Sequence, residues 1–157
     1  MLESNESIGQ RSERNREEEV SFSDFLELHG KTALVVDDSP DNRLLMVRIL
    51  SWLGMNVEFA EDGQEGIEKA REMHPDMILM DLMMPGVDGF QATEQIRASG
   101  FHGPIIALTA WVDPEIRKRC LKRGFDDYQA KPVNRVRLIH SISQLISTAD
   151  GGSGSMH

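Results

Sequence analysis

Five side chains stand directly behind short apolar runs in this sequence. Asp37 and Asp38 follow Ala33–Val36, Asp81 follows Met77–Met80, Thr109 follows Ile105–Leu108, and Lys131 follows Tyr128–Ala130. Any one of them has an ordinary explanation: an aspartate ending a strand and capping a turn, or a lysine with its amine in water. All of them together, at four strand ends, call for a shared site. Three clustered carboxylates repel, and each would take up a proton unless a cation sat among them. A hard, oxygen-seeking divalent ion answers that need. With few protein ligands and room for water, Mg²⁺ suits the set better than Ca²⁺, which wants more oxygens. A softer metal has no ligand cluster to use, since His29, His74, His102 and His140 are scattered and His157 lies in the C-terminal tail. With Mg²⁺ and the Lys131 ammonium present, the group is suited to a phosphoryl transfer in which Asp81 attacks phosphorus and becomes an acyl phosphate.

The elements that must bring these residues together are legible as a repeat. Five times an apolar run is followed by a turn and a helix-like segment, the runs being Ala33–Val36, Val57–Ala60, Met77–Met80, Ile105–Leu108 and Tyr128–Ala130. Short apolar runs without polar alternation predict strands buried on both faces. Ser39-Pro40 and Asp113-Pro114 place a capping oxygen before a first-turn proline. Asp62 with Glu65, and Asp88 with Gln91, have capping-box spacing. The predicted inward helix faces are Leu45, Ile49 and Leu53; Ile67 and Ala70; Ala92 and Ile96; Ile116 and Cys120; and Leu138, Ile142 and Leu145, with Gly124 just past the end of the fourth of these helices. Strands alternating with helices imply right-handed crossovers and a parallel sheet covered on both sides, an α/β three-layer sandwich. In such a sheet all strands end on one rim, where ligands bind.

Composition limits the function classes. The 157 residues suggest one domain, and the net charge of −9 argues against general affinity for nucleic-acid phosphates. Neither a membrane-length apolar run nor a signal-peptide pattern is present in the sequence, and the lone Cys120 excludes an internal disulfide framework, so a cytoplasmic protein is expected. Residues 1–30 hold eight acids and three bases and read as a charged, disordered tail or linker. Within it Phe22, Phe25 and Leu26 have the spacing of one amphipathic helical turn, with a solvated linker the simpler reading. Residues 149–157 read as a flexible Gly/Ser tail. That leaves 31–148 as the folded domain.

Several stretches resemble the receiver domains of two-component response regulators: Val35-Val36-Asp37-Asp38, Met80-Asp81-Leu82-Met83-Met84-Pro85-Gly86-Val87-Asp88-Gly89, Ala107-Leu108-Thr109-Ala110, and Gly124-Phe125-Asp126-Asp127-Tyr128-Gln129-Ala130-Lys131-Pro132. The last looks most like receivers attached to hybrid histidine kinases. The resemblance implies a five-stranded parallel sheet in the flavodoxin-like order 2-1-3-4-5. It implies that Asp81 accepts phosphate from a histidine kinase or a histidine phosphotransfer protein. Mg²⁺ would be held by Asp37, Asp38, Asp81 and the Met83 backbone carbonyl, and the phosphoryl oxygens would meet Lys131, Thr109 and Ala110. Thr109 and Tyr128 would form the switch. The output, a partner protein or a second copy, would use the face made by the fourth helix, fifth strand and fifth helix of the repeat.

Two departures from the family pattern stand out. Met83 and Trp111 occupy positions framing the water that attacks the acyl phosphate, where many relatives carry a carboxylate or amide. The helix after the fourth strand carries Arg117, Lys118, Arg119, Lys122 and Arg123, read either as a partner face or as a solvated one. No DNA-binding domain or membrane segment is expected. Two rival functions remain open on sequence. A Mg²⁺-dependent phosphohydrolase with an aspartyl nucleophile would want an acid where Met83 stands, and a degenerate receiver used only for binding would not need the full set of five residues.

Overall fold

The computed structural model describes residues 19–155 apart from residue 112. Most of the first thirty residues, 1–18, therefore lie outside the described part, as do 156 and 157. In chain order the elements are α1 (Phe22–Leu28), β1 (Thr32–Val36), α2 (Pro40–Trp52), β2 (Asn56–Ala60), α3 (Gly63–Met73), β3 (Met77–Asp81), α4 (Gly89–Ala98), β4 (Ile105–Thr109), α5 (Pro114–Lys122), β5 (Asp127–Ala130) and α6 (Arg135–Ser155). All five predicted strands form, each within a residue of its expected bounds. They pair in parallel in the order β2-β1-β3-β4-β5.

The two faces of the sheet feed two separate cores, as the period of two along each strand requires. Leu34, Val36, Ile78, Met80, Ile105 and Ala107 pack under α3, α4 and α5. Their neighbours Ala33, Val35, Met77, Leu79, Ile106 and Leu108 pack under α2 and α6. The three central strands bury every residue from Ala33 to Val36, Met77 to Asp81 and Ile105 to Thr109. Their uninterrupted apolar composition follows from this two-sided burial.

Helix starts follow the capping residues. Ser39, Asp62, Asp88 and Asp113 each accept a hydrogen bond from the amide three residues on. The reciprocal bond of a capping box forms at Asp88 and Gln91. At the third helix Glu65 instead accepts from the Glu61 amide, one residue earlier than capping-box spacing predicts. Gly124 takes φ +102° behind α5, the left-handed conformation a helix C′ position favours.

Four expectations need correction. The inward face of α2 is Met46, Ile49, Leu50 and Leu53, while Leu45 is exposed; the sheet and α6 select the face, and adjacent leucines leave the phase ambiguous in sequence. Leu145 is only partly buried against the same core. The stretch 22–28 is a docked helix, not a solvated linker. Ser21 and Asp24 form a capping box at its start. Leu28 is fully buried among Leu50, Leu53, Met55, Ile142 and Ile146, and Phe25 packs beside it, whereas Phe22 and Leu26 face solvent. His140 on α6 meets the Glu19 carbonyl at 3.0 Å and the Asp24 carboxylate at 3.4 Å. At the other end, α6 continues through the Gly/Ser stretch to Ser155. Extending a helix already anchored by Leu138, Ile142 and Ile146 fixes only one residue per added hydrogen bond, against about 1 kcal/mol for each glycine.

Candidate functional site

The carboxyl ends of β1, β3, β4 and β5 lie side by side, and the site is built there. Val36 pairs with Met80, Asp81 with Leu108, and Thr109 with Ala130. That register sets Asp37 level with Asp81, Thr109 one step further along its strand, and Lys131 two steps further along β5. One carboxylate oxygen from each of Asp37, Asp38 and Asp81 lies within 4.8 Å of those of the other two. Asp37 and Asp81 are buried and Asp38 is exposed, so the group opens to solvent on Asp38's side. The Lys131 ammonium reaches between the two buried acids, 3.1 Å from Asp37 Oδ2 and 3.2 Å from Asp81 Oδ1. The peptide joining Lys131 to Pro132 is cis.

Local backbone fixes the two buried acids. The Ser39 amide donates to Asp37 Oδ1 at 2.9 Å, and the Met83 amide donates to Asp81 Oδ1 at 3.2 Å. These are side-chain turns in which an aspartate binds the amide two residues on. The chain then turns through Pro85 and Gly86 into α4. Gly89, the first residue of α4, lies so close to β3 that a Cβ there would stand 2.2 Å from the Asp81 carbonyl oxygen. Only glycine lets the helix start against the strand end that carries Asp81.

Burial, then the neighbouring Asp37 carboxylate, push the Asp81 carboxyl up to about 6, while the Lys131 ammonium and the Met83 amide pull the other way. One lysine thus leaves the cluster short of positive charge. Three hard oxygen donors with a negative surplus and an open side fit a divalent cation of the Mg²⁺ kind.

Thr109 is buried, and its hydroxyl faces the Trp111 backbone, accepting from that amide at 3.0 Å. Ala110 is exposed just beyond it. Met83 and Trp111 expose their side chains and line, with Thr109 and Phe90, an open cavity of about 460 Å³ beside the carboxyl end of β3. Tyr128 is half-buried on β5 and borders a second cavity with Arg117, Lys118 and Leu121 of α5. The basic run on α5 divides: Arg119 and Arg123 stack on the Phe90 ring, and Arg123 pairs with Glu94 at 2.5 Å, while Arg117 and Lys118 flank the Tyr128 cavity.

One participant escaped the sequence reading. Arg43, on the second turn of α2, donates to the Asp37 carbonyl at 2.8 Å. The signal was a cation near a helix N-terminus, where the helix dipole disfavours it and a tertiary partner is implied.

Comparison with known proteins agrees with this geometry. The profile of the family described as response regulator receiver domain matches residues 33–143. The chain belongs to that family. As a receiver it has a phospho-acceptor role in two-component signalling, and its sheet order is that of the flavodoxin-like fold. The receiver is 37% identical over 125 residues to the osmosensing histidine protein kinase SLN1 of Saccharomyces cerevisiae, covering 75% of this chain and 10% of the kinase. It is 37% identical over 123 residues to the response regulator MprA of Mycolicibacterium vanbaalenii, covering 77% of this chain and 53% of that protein. It therefore spans about half or less of the length of these relatives. Among solved structures, the receiver domain of sensor histidine kinase PA1611 from Pseudomonas aeruginosa, with a magnesium ion coordinated in its active-site cleft, superposes with TM-score 0.70 at 38% identity, covering 75% of this chain and 98% of that one. Chemotaxis protein CheY4 of Vibrio cholerae gives TM-score 0.70 at 30% identity, covering 74% of this chain and 98% of that one. Nothing in these likenesses supports the phosphohydrolase or the binding-only alternative. Among the described residues, no helix is long and apolar enough to cross a membrane.

Proposed function

We propose that Asp81 is the phospho-acceptor of a receiver comprising residues 31–148, and that it takes its phosphoryl group from a phosphohistidine of a histidine kinase or phosphotransfer protein in the cytoplasm. The observation that carries this reading is the placement of Asp81 at the end of a buried strand, within 4.8 Å of Asp37 and Asp38 and 3.2 Å from Lys131. An Asp81 carboxylate oxygen attacks phosphorus, the N–P bond of the donor breaks, and the departing imidazole takes up a proton. The products are an aspartyl phosphate and a neutral histidine. Asp37, Asp38, Asp81 and the Met83 carbonyl are the residues to hold Mg²⁺, which when bound neutralises charge on the phosphoryl oxygens. Lys131 leaves its bridge between Asp37 and Asp81 to pair with the phosphoryl group, with Thr109 and the Ala110 backbone as further donors.

The dianionic product then draws the Thr109 hydroxyl away from Trp111, and Tyr128 moves into the space vacated. The face of α5, β5 and α6 is thereby shifted toward the form that binds an output protein or a second copy of the chain. The test is acid-labile labelling by a phosphoramidate donor with Mg²⁺. Asp81→Asn and Asp81→Ala should lose it entirely, and labelling at undiminished stoichiometry in either would remove Asp81 from this role.

A further inference from the structure

The three acids of the metal-binding group are held unequally. Asp81 receives the Met83 amide and the Lys131 ammonium, and Asp37 receives the Ser39 amide and the same ammonium. The Asp38 side chain is exposed and, among the described residues, has no hydrogen bond or ion pair. Its direction is therefore set by its backbone, above all by the plane of the peptide joining Asp37 to Asp38. One side chain grips that peptide. Arg43 Nη1 donates to the Asp37 carbonyl at 2.8 Å.

Arg43 is itself clamped. Its side chain is only 13% exposed, its guanidinium stacks on the Phe59 ring at 5.4 Å, and Nη2 lies 3.6 Å from Glu61 Oε1. The stack and the planar fork fix the donor before any ligand arrives. Glu61 is tied in turn, its amide donating to Glu65 at the start of α3. A line of contacts thus runs from α3 and the end of β2, through Arg43, to the one peptide that aims Asp38.

Resting on the reading of Asp37, Asp38 and Asp81 as the metal ligands, we propose that Arg43 is a positioning residue for the Mg²⁺ site, holding the Asp37–Asp38 peptide so that the Asp38 carboxylate faces the cation. Charge and positioning predict opposite signs for its removal. A guanidinium beside an acidic cluster repels Mg²⁺, so deleting the charge alone would tighten binding. Releasing the peptide weakens it, and lost outer-shell support of this kind typically costs on the order of 10-fold or more in metal affinity.

The experiment is a calorimetric Mg²⁺ titration of the full chain as wild type, Arg43→Met, Arg43→Lys, Asp38→Ala, and the Arg43→Met/Asp38→Ala pair, with urea midpoints recorded for each. Arg43→Met should bind Mg²⁺ about 10-fold more weakly. Its phosphorylation rate should recover toward wild type at saturating Mg²⁺, because ligand placement and not the transfer step is impaired. In the Asp38→Ala background the Arg43 substitution should cost nothing further, since no ligand is left to aim. Mg²⁺ affinity equal to or tighter than wild type in folded Arg43→Met overturns the proposal. Should Arg43→Met fail to fold, Arg43→Lys decides. Lysine keeps the charge without the planar stack and double reach, so a several-fold loss is expected, and wild-type affinity overturns the proposal. If Asp38→Ala binds Mg²⁺ as tightly as wild type, the metal-site reading has failed instead.

Discussion

The raised pKa of Asp81 makes a measurable demand on folding. In the unfolded chain the carboxyl ionises near 3.8, and in the folded receiver it does so at about 6. Between those values the native state holds the proton more tightly than the unfolded state does. The resulting contribution to stability is fully present below 3.8 and is lost as pH rises through 6. The gap corresponds to about 3 kcal/mol, the cost of keeping an ionised Asp81 buried beside Asp37 at neutral pH. Asp81→Asn keeps the shape and an oxygen for the Met83 amide but removes the charge. Without Mg²⁺ it should therefore be more stable than wild type at pH 7.5, by up to about 3 kcal/mol, and nearly equal to it at pH 4. Urea unfolding of both proteins in EDTA from pH 4 to 8 measures the difference directly, and subtraction cancels the titrating groups that do not interact with Asp81. Mg²⁺ should abolish the gap by supplying the missing positive charge to the wild type, while its affinity falls about tenfold per pH unit below about 6 as the Asp81 proton competes. A stability difference that is flat across pH, or an Asn variant no more stable at pH 7.5, would refute the electrostatic account of the site.

Other consequences can be checked separately. Leu28→Ala empties a fully buried position between α1 and the α2–α6 core and should cost about 2–5 kcal/mol by urea unfolding, where a solvated linker would give no change. Met83 and Trp111 offer no group to orient the hydrolytic water, so the aspartyl phosphate should be long-lived. Installing Met83→Asn with Trp111→Glu should speed its decay by at least about tenfold, read by loss of label over time. Thr109→Ala and Tyr128→Ala should still accept phosphate, yet partner or self-association affinity should lose most of its dependence on phosphorylation, a coupling of about 1–3 kcal/mol where intact.

The sequence by itself determined most of the sheet and the types of residue on its rim. Runs such as Met77–Met80 have no polar alternation, and only burial on both faces suits them, so strand positions and two-sided coverage were written locally. The carboxyl ends of parallel strands share a rim by topology, which placed Asp37, Asp38, Asp81, Thr109 and Lys131 together before any distance was known. Capping residues marked where the helices begin. What the tertiary structure decided was phase, docking and second partners. Leu44, Leu45 and Met46 of α2 offer adjacent apolar choices, and only the packed sheet and α6 make Met46 the inward one. Residues 22–28 include the apolar Phe22, Phe25, Leu26 and Leu28, but so short a segment does not by itself specify a packing partner, and its helix acquires its place from Leu50, Leu53, Ile142 and Ile146, far away in the chain. Arg43 is one basic residue among many in the sequence, and its bond to the Asp37 carbonyl exists because β1, α2 and β2 converge around it. Local patterns reflect the burial each segment needs, but a hydrogen bond between a side chain and a distant peptide depends on geometry that no single segment contains.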